Sequence, residues 1–251
     1  LIRLINPNVV HMHAYVGAGF HNLLVVAVEE RHPREVLKTA MSLLGTGQLS
    51  LTKVMVLIRG DQDPADFRRV LTEIWHRTKL DDRVLLLPLA PLDTLDFTSF
   101  KMHVGSKLII DATGPISRAD PPILRDAPDR FHPRVEGWKL LDGGWLIVVV
   151  SQGAREVLEG LIRASLGVSF IVAVSADVDL EDDENLQWGI FTRFDPARDM
   201  IFEKQEFVGA RPVYSGCVGI DATWKNGYPA ALEMDEDTVK LVDRRWDEYW
   251  K

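Results

Sequence analysis

Ile110-Asp111-Ala112-Thr113 and Ile220-Asp221-Ala222-Thr223 are one tetrapeptide written twice, 110 positions apart. Each closes an apolar run, Lys107-Leu108-Ile109 before the first and Val218-Gly219 before the second. A short apolar run ending in Asp is a buried strand that stops at a turn, where the carboxylate takes amides the turn leaves free. Ahead of each ending lies the same succession of elements, with a second shared tetrapeptide. Arg34-Glu35-Val36-Leu37 recurs 121 positions later as Arg155-Glu156-Val157-Leu158. The offsets differ by eleven, so the second copy is shorter, mostly before its last strand. This doubling decides the fold class: α/β, made of duplicated strand-helix-strand-helix units whose matched inner faces stack and bury a shared core.

In the first copy, residues 9–15 and 21–29 are β-rich and flank the turn Gly17-Ala18-Gly19. Residues 34–44 follow Pro33 and place Val36, Leu37, Ala40, Met41 and Leu44 at helical spacing, until Gly45-Thr46-Gly47 breaks the pattern. Residues 54–58 read as a strand covered on both faces. Asp63-Pro64 opens a helix to about Arg77, with Phe67, Val70, Leu71, Ile74 and Trp75 inward. Strands follow at 84–89 and 107–111. The second copy has β-rich runs at 138–141 and 145–150 around Asp142-Gly143-Gly144, a hairpin signal. A helix at 155–166, a strand at 170–174, a helix at 182–194 and a closing strand at 218–221 complete it. The seven tryptophans fall mostly at core spacing. Between the copies, Pro115, Pro121, Pro122, Pro128 and Pro133 interrupt a stretch without period. The expected organisation is a first unit over 1–115, a Pro-rich linker over 116–134, and a second unit with a carboxy-terminal helix over 135–251.

The 251 residues carry a net charge of −8, and the pI is near 5.4. Nucleic acid is therefore not an expected partner, since phosphate binding needs a concentrated basic surface. No apolar run reaches the roughly 18–20 residues of a membrane span. The single cysteine, Cys217, excludes an internal disulfide and suits a reducing, cytoplasmic setting; it reads as an inert strand residue. The chain starts Leu1-Ile2-Arg3-Leu4-Ile5, without Met or signal peptide, as if inside a longer protein.

Chemistry-bearing residues are few. Lys53 follows Ser50-Leu51-Thr52 at the entrance to a buried strand. It either aims its ammonium at an anion beside the hydroxyls and turn amides, or stands as a solvated gatekeeper. Phe170 is the residue aligned with Lys53 in the second copy, so the lysine is dispensable for folding. His11 and His13 share one strand face, but no third metal ligand follows. His21 caps its turn or lines a cleft. Arg193, Asp195, Arg198 and Asp199 are spaced to clamp one another across a helix end. The acidic run from Asp177 to Glu184 favours a helix amino terminus. Asp111 and Asp221 read as turn-closing residues. No Walker loop, dinucleotide fingerprint or nucleophile elbow is present.

Gly19-Phe20-His21-Asn22-Leu23-Leu24, Gly45-Thr46-Gly47-Gln48-Leu49-Ser50-Leu51-Thr52-Lys53, Asp93-Thr94-Leu95-Asp96 and Gly105-Ser106-Lys107-Leu108-Ile109-Ile110-Asp111-Ala112-Thr113 together resemble the UbiD-like decarboxylase family. The second copy adds Thr192-Arg193-Phe194-Asp195-Pro196-Ala197-Arg198-Asp199 and Gly219-Ile220-Asp221-Ala222-Thr223. The doubled ending is similar to longer members associated with menaquinone biosynthesis. The resemblance implies the family's carboxy-terminal α/β dimerisation domain. It further implies a non-oxidative carboxy-lyase for aromatic or unsaturated acids, using prenylated FMN with a divalent metal and potassium, and assembled as a homodimer or higher homo-oligomer. The modified flavin takes up the electrons released as CO2 leaves.

The family's catalytic Arg and Glu residues and its metal ligands belong to an upstream flavin-binding domain. No Glu-Gly-Pro-x-Gly-Glu segment occurs here, so the resemblance places no catalytic residue and no metal ligand in this chain. What carries over is Lys53, matching the lysine that reaches the flavin phosphate, with Thr52 beside it as cofactor-binding residues. Two places depart from the pattern. Ile58-Arg59-Gly60-Asp61-Gln62-Asp63 is less acidic than the family turn, and Trp75-His76-Arg77-Thr78-Lys79-Leu80-Asp81-Asp82 stands where Arg-x-Asp-Pro-x-Arg-Asp would fall; the pattern survives better in the second copy, which leaves open which copy takes the family position for pairing. A non-catalytic assembly or regulatory subunit that keeps the fold alone is the competing reading.

Overall fold

Continuous apolar runs become inner strands in the computed structural model, which describes residues 2–230 and 234–250. The first copy runs α1 (Ile2–Ile5), β1 (Val9–Ala14), β2 (Leu23–Val28), α2 (Glu35–Leu44), β3 (Val54–Arg59), α3 (Phe67–Arg77), α4 (Leu80–Arg83), β4 (Val84–Pro91) and β5 (Val104–Ala112). The second runs β6 (Gly137–Leu141), β7 (Trp145–Val149), α5 (Ala154–Arg163), β8 (Phe170–Val174), α6 (Asp183–Phe191), α7 (Pro196–Asp199), β9 (Met200–Val208) and β10 (Arg211–Ala222), followed by α8 (Glu236–Tyr249). The sheets are ordered β1-β2-β3-β5-β4 and β6-β7-β8-β10-β9, one topology repeated. In each, the three inner strands are parallel and both edge strands antiparallel. Parallel neighbours need a crossover, which helices supply. Fully buried β2 and β8 show why their sequences lack alternation.

The ladders align the copies residue by residue. Leu23, Val54 and Leu108 lie side by side in one sheet; Trp145, Phe170 and Val218 do so in the other. Phe170 therefore takes the place of Val54, and the residue matching Lys53 is Ser169. The alignment expected from sequence was one residue off, because the strand-entry loops differ in length.

Apolar residues facing inward from both sheets form one cluster. Val25, Val56 and Ile110 of the first meet Ile147, Val172 and Ile220 of the second, with Ile74 of α3 and Ile190 of α6 in the same cluster. Smaller clusters lie beneath α2 and α5 on the other sheet faces. The copies are thus layers about a common core rather than separate globules. The Pro-rich stretch is bonded to both. Arg118 stacks on Trp75 and donates to Thr78 O at 3.0 Å and to Ser169 Oγ at 3.1 Å, while Arg125 N donates to Leu166 O at 3.0 Å.

Several local expectations need correction. α3 begins at Phe67, because Asp66 caps it by accepting Arg69 N, while Asp63 accepts Ala65 N in a separate turn. The helix expected over 182–194 stops at Phe191, and Asp195 then caps α7. On α2, Leu37 and Met41 are exposed, and Thr39 and Leu43 are buried instead. β9 was not foreseen: its charged middle hides the strand signal, and β10 is the strand that pairs with it. Only Trp145 of the tryptophans is a core residue; Trp138, Trp188, Trp224, Trp246 and Trp250 are exposed. Among the described residues, no helix is long and apolar enough to cross a membrane.

Candidate functional site

Lys53 enters the sheet through its backbone, donating to His21 O at 2.8 Å and accepting from Leu108 N at 2.9 Å. Its position is at the amino ends of the parallel strands β2, β3 and β5. The side chain is only 1% exposed, and Nζ lies 2.8 Å from Asp96 Oδ2. That pairing is close but not aligned as a hydrogen bond at either atom. Phe194 of the second copy places its ring 5.6 Å from Nζ. Burial pushes the ammonium's pKa down, opposed first by Asp96 and then by Asp195 and Asp199. Thr52 is buried beside it, and its carbonyl, like that of Ser50, accepts from Lys107 Nζ at 2.7 Å. Burial lowers Lys107 to about 8, with Asp96 opposing.

The acidic partners lie on the loop 92–103 between β4 and β5. Asp93 Oδ1 accepts Leu95 N at 3.0 Å, and Oδ2 pairs with His21 Nδ1. The Leu95 amide, followed by His21 and Thr94, holds the Asp93 carboxyl below its ordinary value. Asp96 Oδ1 accepts Thr98 N at 3.0 Å and Thr98 Oγ1 at 2.6 Å. One loop thus offers a carboxylate to each of two basic side chains, three residues apart.

The second copy closes the site from the other side. Asp195 is 2% exposed. Its carboxylate accepts Ser106 N at 2.9 Å, Ser106 Oγ at 2.6 Å and Ala197 N at 3.1 Å. Asp199 accepts Asp195 N at 2.7 Å, and burial raises its pKa against the pull of Lys225. Gly105 allows this approach: a Cβ there would run into Leu92 and lie 3.0 Å from Asp195 Oδ2. The mutual clamp expected among Arg193, Asp195, Arg198 and Asp199 is not formed. Arg193 reaches back to Asp177 in a bidentate pair at 2.8 and 2.6 Å and stacks on Trp224, while Arg198 donates to Ser99 O at 2.9 Å. Asp195 is instead taken by amides and Ser106, and Asp199 by the Asp195 amide with Lys225 Nζ 3.6 Å away.

Elsewhere, Asp111 accepts Thr113 N and Oγ1 at 2.9 and 2.6 Å, and Asp221 accepts Thr223 N and Oγ1 at 3.0 and 2.6 Å. The repeated tetrapeptide is therefore a turn closure in both copies. His13 packs against Tyr15, and no group of three potential ligands is placed for a metal among the described residues. Cys217 is buried in β10, and burial pushes its thiol up to about 12. The sequence singled out Lys53 but not its counter-ion. Asp96 lies within Asp93-Thr94-Leu95-Asp96, 43 positions after Lys53, a separation that carries no sign of the contact.

The family model of the 3-octaprenyl-4-hydroxybenzoate carboxy-lyase C-terminal domain matches residues 1–112 and 135–222. A Chlamydia pneumoniae protein named as a 4-hydroxybenzoate decarboxylase subunit is 31% identical over the whole of this chain, and the chain covers 43% of it. An uncharacterized Chlamydia caviae protein is 28% identical with the same coverage. The chain thus spans well under half the length of these relatives. Among solved structures, the closed form of Sedimentibacter hydroxybenzoicus vanillic acid decarboxylase is similar over 50% of this chain and 26% of its own, with a TM-score of 0.43 and 22% identity.

Proposed function

Because this chain belongs to the UbiD carboxy-lyase C-terminal domain family, we propose that it is the carboxy-terminal part of a UbiD-like non-oxidative decarboxylase acting on an aromatic or unsaturated acid. The observation that carries the reading is the asymmetry of the copies. They share one topology, yet only the first places a buried ammonium, Lys53, at the amino ends of its parallel strands. Quinone biosynthesis is the proposed setting, and the name of the Chlamydia pneumoniae relative supports a hydroxybenzoate-type substrate.

The cofactor is proposed to be prenylated FMN with a divalent metal and potassium, its ligands mostly outside this chain. When bound, the flavin accepts the electrons released as the carboxylate leaves. Lys53 and Thr52 are the residues proposed to hold its phosphate. The donor chemistry fits one phosphate: an enclosed ammonium has three N–H groups, and here its single carboxylate partner is unaligned. In the chain as it stands, Asp96 occupies that position. Lys53 therefore binds and orients, and proton transfer at the substrate falls to groups upstream.

Assembly as a homo-oligomer is part of the proposal. Helix α8 buries none of its residues and leaves Val239, Leu241, Trp246 and Tyr249 exposed, an apolar surface that supports pairing with a second copy. The domain division at 1–115, 116–134 and 135–251 and a cytoplasmic setting are proposed with it. The competing reading, an assembly or regulatory subunit, draws on the enclosure of Lys53. The two are separated by joining this chain to the upstream segment and supplying prenylated flavin. CO2 release from a hydroxybenzoate by the joined protein, and none by the 251 residues alone, is the expected result. Absence of turnover in the joined, flavin-loaded protein across aromatic and unsaturated acids overturns the enzyme reading.

A further inference from the structure

The Lys53–Asp96 pair leaves most of the ammonium's donors without a partner. Both atoms are enclosed, 2.8 Å apart, and neither has an aligned hydrogen bond. An enclosed ion pair is favourable only when further hydrogen bonds satisfy its remaining donors and acceptors. Asp96 spends its well-made bonds through Oδ1, on Thr98. Three residues earlier Asp93 repeats the arrangement, one oxygen on the Leu95 amide and the other on His21. The two basic residues are neighbours, since Lys53 N donates to His21 O. The pairs descend from the surface: His21 and Asp93 are 31% and 20% exposed, Lys53 and Asp96 only 1% and 4%.

Residues 93–96 are tied largely to themselves. Asp96 N bonds Asp93 O at 3.1 Å, and Leu95 at the crest is 83% exposed. The ends are fixed, Leu92 N to His103 O at 3.1 Å and the Phe97 ring against Tyr228 at 4.7 Å. The loop also holds two non-glycine residues at positive φ, Phe100 at 60° and His103 at 63°, a conformation seldom kept without reason.

We infer that Asp96, with Asp93 above it, is an internal counter-ion that occupies the place of a phosphate monoester on Lys53 and His21 and yields to that anion when it arrives. This rests on the assignment of Lys53 to the flavin phosphate, and adds His21 as a second phosphate-facing group with the loop 93–96 as its regulator. A phosphate monoester brings close to two charges and three acceptor oxygens, against a single unaligned carboxylate oxygen. Such a latch lowers apparent affinity by the fraction of molecules in which it is closed, and keeps a buried ammonium neutralised until the ligand is present.

Inorganic phosphate added to the 251-residue chain is the probe. In wild type, the Leu95 and Thr98 amides exchange hydrogen faster once phosphate is present, because their carboxylate acceptors move away, while Leu108 and Val218 are unaffected. Unchanged or slower exchange at Thr98 overturns the latch without requiring any variant to fold. Asp96→Asn is expected to bind phosphate at least about fivefold more tightly than wild type, and Lys53→Met to lose binding. Wild-type affinity in Asp96→Asn, with binding still dependent on Lys53, overturns the latch and leaves the lysine assignment standing. Binding that survives Lys53→Met overturns both.

Discussion

Replacing Asp195 by alanine removes a carboxylate of the second copy that accepts from the first. Its oxygens take Ser106 N at 2.9 Å, Ser106 Oγ at 2.6 Å and Ala197 N at 3.1 Å, at 2% exposure. Ser106 sits in the irregularity between the ladder pairs Leu87–Lys107 and Ala90–Gly105, so no regular β4 partner awaits its freed amide. Ala197 N keeps a second acceptor, Ser106 Oγ at 2.8 Å. The loss is therefore about two charge-assisted hydrogen bonds, each worth roughly 1.5–3 kcal/mol, partly offset because a buried charge also disappears. A net destabilisation of about 3 kcal/mol follows, seen as a lower urea midpoint at unchanged slope. Because the sheets share one core, exchange at buried amides of β3 and β8 accelerates by a common factor of roughly 100 or more, if those amides open by global unfolding. A loss below about 0.5 kcal/mol, or acceleration confined to β8, refutes the shared-core argument.

Gly105→Ala forces a methyl into Leu92 and against Asp195, so about 1–3 kcal/mol is lost by chemical denaturation; shortening Leu92 to alanine in the same chain recovers part of it. Lys107 has a pKa near 8 when folded and 10.5 when free. Between those values the unfolded chain holds a proton that the folded chain has released, so this lysine's contribution to stability rises with pH. Compared with Lys107→Met, wild type gains at most about 3 kcal/mol from pH 8 to 10.5, measured by urea unfolding at each pH. The comparison with the variant is needed because burial raises the pKa of Tyr15, Cys217 and Tyr228, which work in the opposite direction in both proteins.

The order of elements was legible because strong local signals agreed with the fold. Unbroken apolar runs at β2, β3 and β8 are strand-length and rich in β-branched residues, which marks them as strands buried on both faces, and the repeated tetrapeptides marked equivalent strand ends. β9 was hidden because Glu203, Lys204, Gln205 and Glu206 give it a loop's composition, while its partner supplies the strand geometry. The one-residue misalignment of Lys53 with Phe170 could be put right only by ladder register, which is a long-range property. For the candidate site, Lys53 was visible from its neighbours in sequence. Asp96, Lys107 and the bond from Ser106 to Asp195 were not, since pairings across 43 and 89 residues leave no periodic trace.

The assignment of Lys53 to the flavin phosphate is tested most directly in this chain joined to the flavin-binding segment proposed to precede it, purified after prenylated flavin has been supplied. Flavin retained per chain is read from absorbance and mass in wild type, Lys53→Met and Ser169→Ala. Lys53→Met is expected to lose the flavin, and Ser169→Ala, altered at the matching position of the second copy, to retain it. Full retention by Lys53→Met would rule out the assignment of Lys53 to the flavin phosphate.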